Sequence, residues 1–244
     1  MAWAIAVYVM SRVMHPTSHH GTGRSLTCIR WTHTARSGHD VMMSSVAQFS
    51  SSADAFVAVV AQVPHDAWER PALGEWTVRS LVGHTTRALL TVEQYLHLEP
   101  PAEVTIPTAA LYYATVYEQF TDSNAVTQRG IAAGIWLGNE QLLRITDALA
   151  RAKAAIEAAP PDRAVSIGGM GIPLEEYLRT RVFELVVHTI DLARAIEVPC
   201  APPPDAVESC AVLAVSAGNA RGDGEAVLLA LTGRGSLPDG FSVV

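Results

Sequence analysis

The sequence predicts a mainly α-helical protein: a bundle of four main helices followed by a small C-terminal α/β appendage. Three observations carry this. Long stretches repeat their apolar residues at helical spacing. Prolines punctuate them at residues 64, 100–101, 160–161 and 199–204. Near the end the pattern changes to a short apolar run, 225–232, followed by a Gly-rich turn. Hydrophobic residues make up 49% of the 244-residue chain and charged residues 17%, which allows a large core under a lightly charged surface.

The elements follow in order. Residues 1–43 read as an extension without regular structure. They are rich in Ser, Thr, Arg and Gly, hold five of the nine His, and show no period. The apolar residues 1–10 lack both a charged leader and a small-residue cleavage site, so they fit a signal peptide poorly. Residues 44–63 read as a first helix, stopped by Pro64. Pro71 and Gly74 mark a turn. A second helix then opens with Thr77 as its N-cap and runs to about Leu98. Residues 102–108 are a linker, and 109–120 a helix that breaks at Asp122, Ser123 and Asn124. A long Ala/Leu-rich helix continues to Ala159. Its Gly130, Gly134 and Gly138 recur at period four, a spacing that suits close helix approach and weakens helical continuity. Residues 165–171 form a loop able to carry a short strand. Pro173 suits the first turn of the next helix, which runs to Ile196. A further helix is expected over 205–219, a buried strand over 225–232, and a partner strand over 241–244. The helical bundle thus covers 44–198 and the appendage 199–244.

Composition narrows the function classes. The net charge of −7 disfavours nucleic-acid or anionic-membrane partners, which need basic patches. Cys28, Cys200 and Cys210 form no CxxC pair, so a reducing, cytoplasmic setting is expected. No run approaches the ~18 apolar residues of a membrane span.

Glu184 and His188 stand four residues apart on the 173–196 helix, one above the other on a single face. Tyr177, Thr180, Arg181 and Asp191 share that side, whereas Val182, Leu185, Val186, Leu192 and Ala193 occupy the opposite one. One reading is an ordinary surface helix whose polar stripe faces water. The other is a carboxylate–imidazole pair that holds a divalent metal. His84, on the second helix, shares its face with Thr77, Ser80, Ala88, Thr91 and Tyr95. Those small or uncharged groups suit the lining of a cavity, although a hydrogen-bonded core histidine fits there too. Three protein ligands with one open position describe a catalytic zinc site. Two His and one carboxylate also suit Fe(II), Ni(II) or Mn(II). Asp191, one turn beyond His188, can orient its ring. Arg181 and Arg234 are candidates to hold a substrate carboxylate, and Tyr177 to line the site.

The stretch Trp76-Thr-Val-Arg-Ser-Leu-Val-Gly-His84 resembles the Trp-[Ser/Thr]-Val-Arg-[Asp/Glu]-Leu-x-x-His signature of the mycothiol-dependent maleylpyruvate isomerase N-terminal family, within the DinB-like superfamily. Glu184-x3-His188-x2-Asp191 is similar to its fourth-helix motif, and residues 225–244 resemble its C-terminal segment. Ser80 replaces the usual acidic residue, and Thr85 a common large apolar one. The resemblance implies a DinB-like four-helix bundle that holds one divalent metal, zinc by first expectation, through His84, Glu184 and His188. It also implies mycothiol as thiol cosubstrate, with an electrophilic small molecule as the other reactant. The expected reaction is S-transfer or cis–trans isomerisation in a monomer or homodimer. A non-catalytic metal- or ligand-binding bundle with a regulatory or stress role is the alternative.

Overall fold

The computed structural model describes residues 44–119 and 123–243. The expected extension over 1–43 lies outside the described residues.

Helix α1 (Ser45–Val60) is capped by Ser44, whose side chain accepts from the Ala47 N–H. A short antiparallel pair, β1 (Pro71–Leu73) and β2 (Trp76–Thr77), leads into α2 (Val78–Leu96). Thr77 caps α2 as expected and accepts from the Ser80 N–H. Helices α3 (Ala109–Gln119), α4 (Ser123–Leu137) and α5 (Gln141–Ala158) follow. A two-strand hairpin, β3 (Ala164–Ile167) and β4 (Met170–Pro173), then precedes α6 (Leu174–Ala195). The chain continues through α7 (Pro204–Ala220) and α8 (Gly224–Leu231). No described helix is long and apolar enough to cross a membrane.

The long helices pack side by side: α1 on α5 and α6, and α2 on α4, α5 and α6. Phe49, Phe56, Leu81, Leu89, Ile145, Leu178 and Leu185 are fully buried between them. Burying each such side chain stabilises the fold by about 1.5–3 kcal/mol. Helices α2 and α6 run antiparallel. The Tyr177 hydroxyl donates to Thr91 Oγ1 (2.7 Å) at one level, and His84 faces Glu184 (3.6 Å) at the next.

The structure differs from the expected elements in three places. The long helix to Ala159 is two helices. Gly138 adopts φ +58° just past α4, the left-handed conformation that ends helices, and its carbonyl accepts from Arg79 and Gln141 instead of continuing the ladder. The other expectation for these glycines holds. A Cβ on Gly130 would lie 2.7 Å from the Trp76 ring, and one on Gly134 2.9 Å from the Arg79 carbonyl. The 165–171 segment is a full hairpin, turning through Gly168 and Gly169 at φ +57° and +86°.

The third difference lies in the appendage. Residues 225–232 were expected as a strand, and the structure places helix α8 there, with no strand among residues 241–243. An apolar run of this length does not separate strand from helix by periodicity. Its Ala and Leu residues favour helix, and Glu225 complements the positive end of the helix dipole. Only Val227 is buried, and α8 packs on α7.

Candidate metal centre

The polar side of α6 does not face bulk water. Tyr177 and Thr180 are buried, as are Leu185 and Val186 on the other side, because α6 is held between α1 and α2. The surface-helix reading of this stripe therefore fails. On α2 the face shared by His84 is also interior: Ser80, Ala88 and Thr91 are buried.

These two faces bring three ligating groups together. His188 Nε2 lies 3.3 Å from Glu184 Oε2, and His84 Nε2 lies 3.6 Å from the same oxygen. One ligand atom from each residue falls within 4.8 Å of the other two, the one such cluster of three among the described residues. The His84, Glu184 and His188 side chains remain 18%, 21% and 15% exposed, so the cluster is not sealed from solvent. Metal bonds of about 2.0–2.1 Å in a tetrahedron place neighbouring ligand atoms ~3.4 Å apart. The donor set and both distances to Glu184 Oε2 fit a divalent cation with an open coordination position.

Each ligand is held differently. His188 turns its second nitrogen, Nδ1, to Asp191 Oδ2 at 3.2 Å, the arrangement that fixes the tautomer of a metal-binding imidazole. The Tyr113 hydroxyl, from α3, lies 3.2 Å from Glu184 Oε1 and 3.1 Å from the Thr180 carbonyl. His84 has no such polar support, because its Nδ1 is buried without a hydrogen-bond partner. Packing orients it instead. The Trp76 ring lies over it at 4.3 Å and 33°, anchored by Nε1–H donating to the Thr127 carbonyl at 3.1 Å.

The electrostatics follow from this geometry. Burial opposes charge on His188, but its hydrogen bonds to Asp191 and Glu184 outweigh burial and push it up to about 9. Burial also opposes charge on Glu184, yet the two imidazoles and Arg181 hold its carboxyl well below the usual range. His84 is shifted down by burial, which together with the charges of His188 and Arg87 outweighs its hydrogen bond and attraction to Glu184. Without metal, the cluster is a carboxylate between a protonated and a neutral imidazole.

Of the other expected site residues, Arg181 lies one turn before Glu184. Its Nε donates to Thr180 Oγ1 at 3.1 Å, and its guanidinium sits 5.0 Å from the Tyr177 ring centroid. Tyr177 is 1% exposed and spends its hydroxyl on Thr91. Arg234 stands exposed on the turn after α8 and donates to the Thr232 carbonyl. No described contact joins it to the three ligating groups. Tyr113 was absent from the sequence expectations. Nothing local marks it, since its partner lies 71 residues away. Trp76 was noted only as part of a motif.

The family model described as the mycothiol maleylpyruvate isomerase N-terminal domain matches residues 49–193, which include all three ligating positions. No curated protein and no solved structure matches the chain.

Proposed function

We propose that this chain, which belongs to the mycothiol maleylpyruvate isomerase N-terminal domain family, is a divalent-metal-dependent cytoplasmic enzyme that uses mycothiol to modify an electrophilic small molecule. The observation that carries this reading is the convergence of His84, Glu184 and His188 where solvent still reaches them. A divalent cation bound there, zinc by preference, would lower the pKa of a thiol at its open position so that thiolate exists near neutral pH.

The surrounding residues have definable roles. Asp191 fixes His188 so that Nε2 points at the cluster. Tyr113 donates to Glu184 Oε1, which leaves Oε2 to face both imidazoles. Trp76 covers one face of His84. Arg181 would hold a carboxylate of a reactant. A thiolate that adds to the electrophilic carbon and remains there gives S-transfer. One that adds to a cis double bond, allows rotation and leaves gives isomerisation with the thiol regenerated.

The test is elemental analysis of the purified chain, followed by consumption of low-molecular-weight thiols, mycothiol included, with monochlorobimane as electrophile. The expected result is about one metal per chain and metal-dependent thiol consumption. His84→Ala or His188→Ala is expected to abolish metal uptake and turnover with the helical far-UV spectrum retained. Stoichiometric metal in either variant would refute the ligand assignment. Tight metal with no turnover of any thiol would favour a non-catalytic binding bundle.

A further inference from the structure

We propose that the outer face of α8 is a self-association surface, on which a second copy of this chain docks its own α8 antiparallel about a two-fold axis. This surface is independent of the metal centre and of the reaction proposed above.

Helix α8 reads Gly-Glu-Ala-Val-Leu-Leu-Ala-Leu. Apart from Glu225 it is apolar on every side, a pattern that belongs to a covered helix. Within one chain, however, α8 buries only Val227, which lies against Gly218 of α7. Leu228 and Leu231 stay 61% and 70% exposed. Val215, one turn before Gly218 on α7, is exposed as well, and so is Val212 beyond it. Large apolar side chains gathered in this way mark a contact surface.

Register and charge select the occupant. Successive helix residues turn by about 100°, so Glu225, Leu228 and Leu231 fall within one arc of about 120°. Arg234 is fixed just past the end of α8. Its N–H donates to the Leu229 carbonyl (2.8 Å) and the Gly233 N–H to the Ala230 carbonyl (3.1 Å), with Gly233 at φ +69°. That is the Schellman turn that closes a helix. Among the described residues, neither Glu225 nor Arg234 has an ion-pair partner.

In an antiparallel pair of identical helices, each residue meets the one equally far beyond the crossing point. Leu228 and Leu231 are equidistant from a point between Leu229 and Ala230, and so are Glu225 and Arg234. One two-fold axis through that point therefore sets Leu228 against Leu231 of the second copy and Glu225 against Arg234 of the second copy, each contact occurring twice. The face is complementary to itself in both shape of pattern and charge. An anionic membrane offers no match to Glu225 or to a chain of net charge −7. The leucines supply the association, and the charge pairs at the rim set its orientation.

The experiment is sedimentation equilibrium of the full chain over a concentration series, and a reversible dimer is expected. Leu228→Asp should weaken it about a hundredfold, roughly tenfold for each of the two leucine contacts it spoils. Leu143→Asp, at a comparably exposed leucine on α5, should change nothing. Far-UV spectra and thermal midpoints check that each variant keeps its fold. Glu225→Arg and Arg234→Glu each bring like charges together, and each should weaken self-association about tenfold at low salt. An equimolar mixture of these two variants should associate at least as well as the parent, because both crossed contacts then join opposite charges. Should Leu228→Asp fail to fold, the mixture decides alone. A full chain that stays monomeric throughout would overturn the proposal, whatever else covers the face. So would a Leu228→Asp dimer as tight as the parent, a dimer broken by Leu143→Asp instead, or charge variants that gain nothing on mixing.

Discussion

Metal uptake should release about one proton per ion near pH 7, and the source should be His188. In the metal-free cluster this imidazole is pushed up to about 9, so at neutral pH it carries a proton that a metal must displace. Glu184 is held well below the usual carboxylate range and His84 below the usual imidazole range, so neither adds a proton there. Removing a proton about two units below its pKa costs about 2.7 kcal/mol, which lowers apparent affinity about a hundredfold at pH 7 relative to the plateau above pH ~9. Protons compete with the metal, so affinity rises with pH, by about one logarithmic unit per pH unit across this window. The metal-free fold runs the other way. The raised pKa of His188 stabilises it fully below the unfolded imidazole value, and that contribution is lost as pH rises through about 9. The assay is zinc titration by calorimetry in two buffers of different ionisation enthalpy, repeated between pH 7 and 9. Zero proton release, or affinity flat over that range, would refute the assigned charge states.

Two substitutions test the supports of the centre. Asp191→Asn keeps a side chain near His188 Nδ1 but removes the charge that orients the ring; metal affinity is expected to fall about 10–100-fold, read by chelator competition, with thermal stability of the loaded protein following. Gly83→Ala tests the α2–α4 contact: helix propensity alone favours Ala by about 1 kcal/mol, but the added Cβ would lie 2.2 Å from the backbone nitrogen of Gly134, so a net loss of about 1–3 kcal/mol in urea unfolding is expected, and a stabilised variant would contradict that close approach.

What was legible in the sequence is what depends on local spacing. Thr77 announces its cap by standing before a periodic stretch, and it does cap α2. Glu184, His188 and Asp191 share a face because four and three residues are close to one turn, and their contacts are made within α6. His84 could be singled out by the small residues on its face, which the structure buries. What escaped depends on packing between distant segments or on competition between near-equal local choices. The apolar run 225–232 lacks a strand neighbour, and without one its Ala and Leu content decides for helix. Gly138 was one of three glycines at equal spacing. Only the fold reveals that Gly130 and Gly134 make room for a neighbour, while Gly138 turns the chain.

The same distinction separates the two imidazoles of the centre. His188 is oriented by an acid three residues away on its own helix, so any folded α6 presents it correctly. His84 depends on Trp76, which leaves β2, lies across the ring and hangs from the carbonyl of Thr127 in α4. That anchor exists only because Gly130 leaves room for the indole, which a Cβ would meet at 2.7 Å. The geometry of His84 is therefore a consequence of α2 docking on α4, and the metal site is complete only when that docking is. A side chain added at Gly130 should thus loosen His84 before it affects His188, although it touches neither residue.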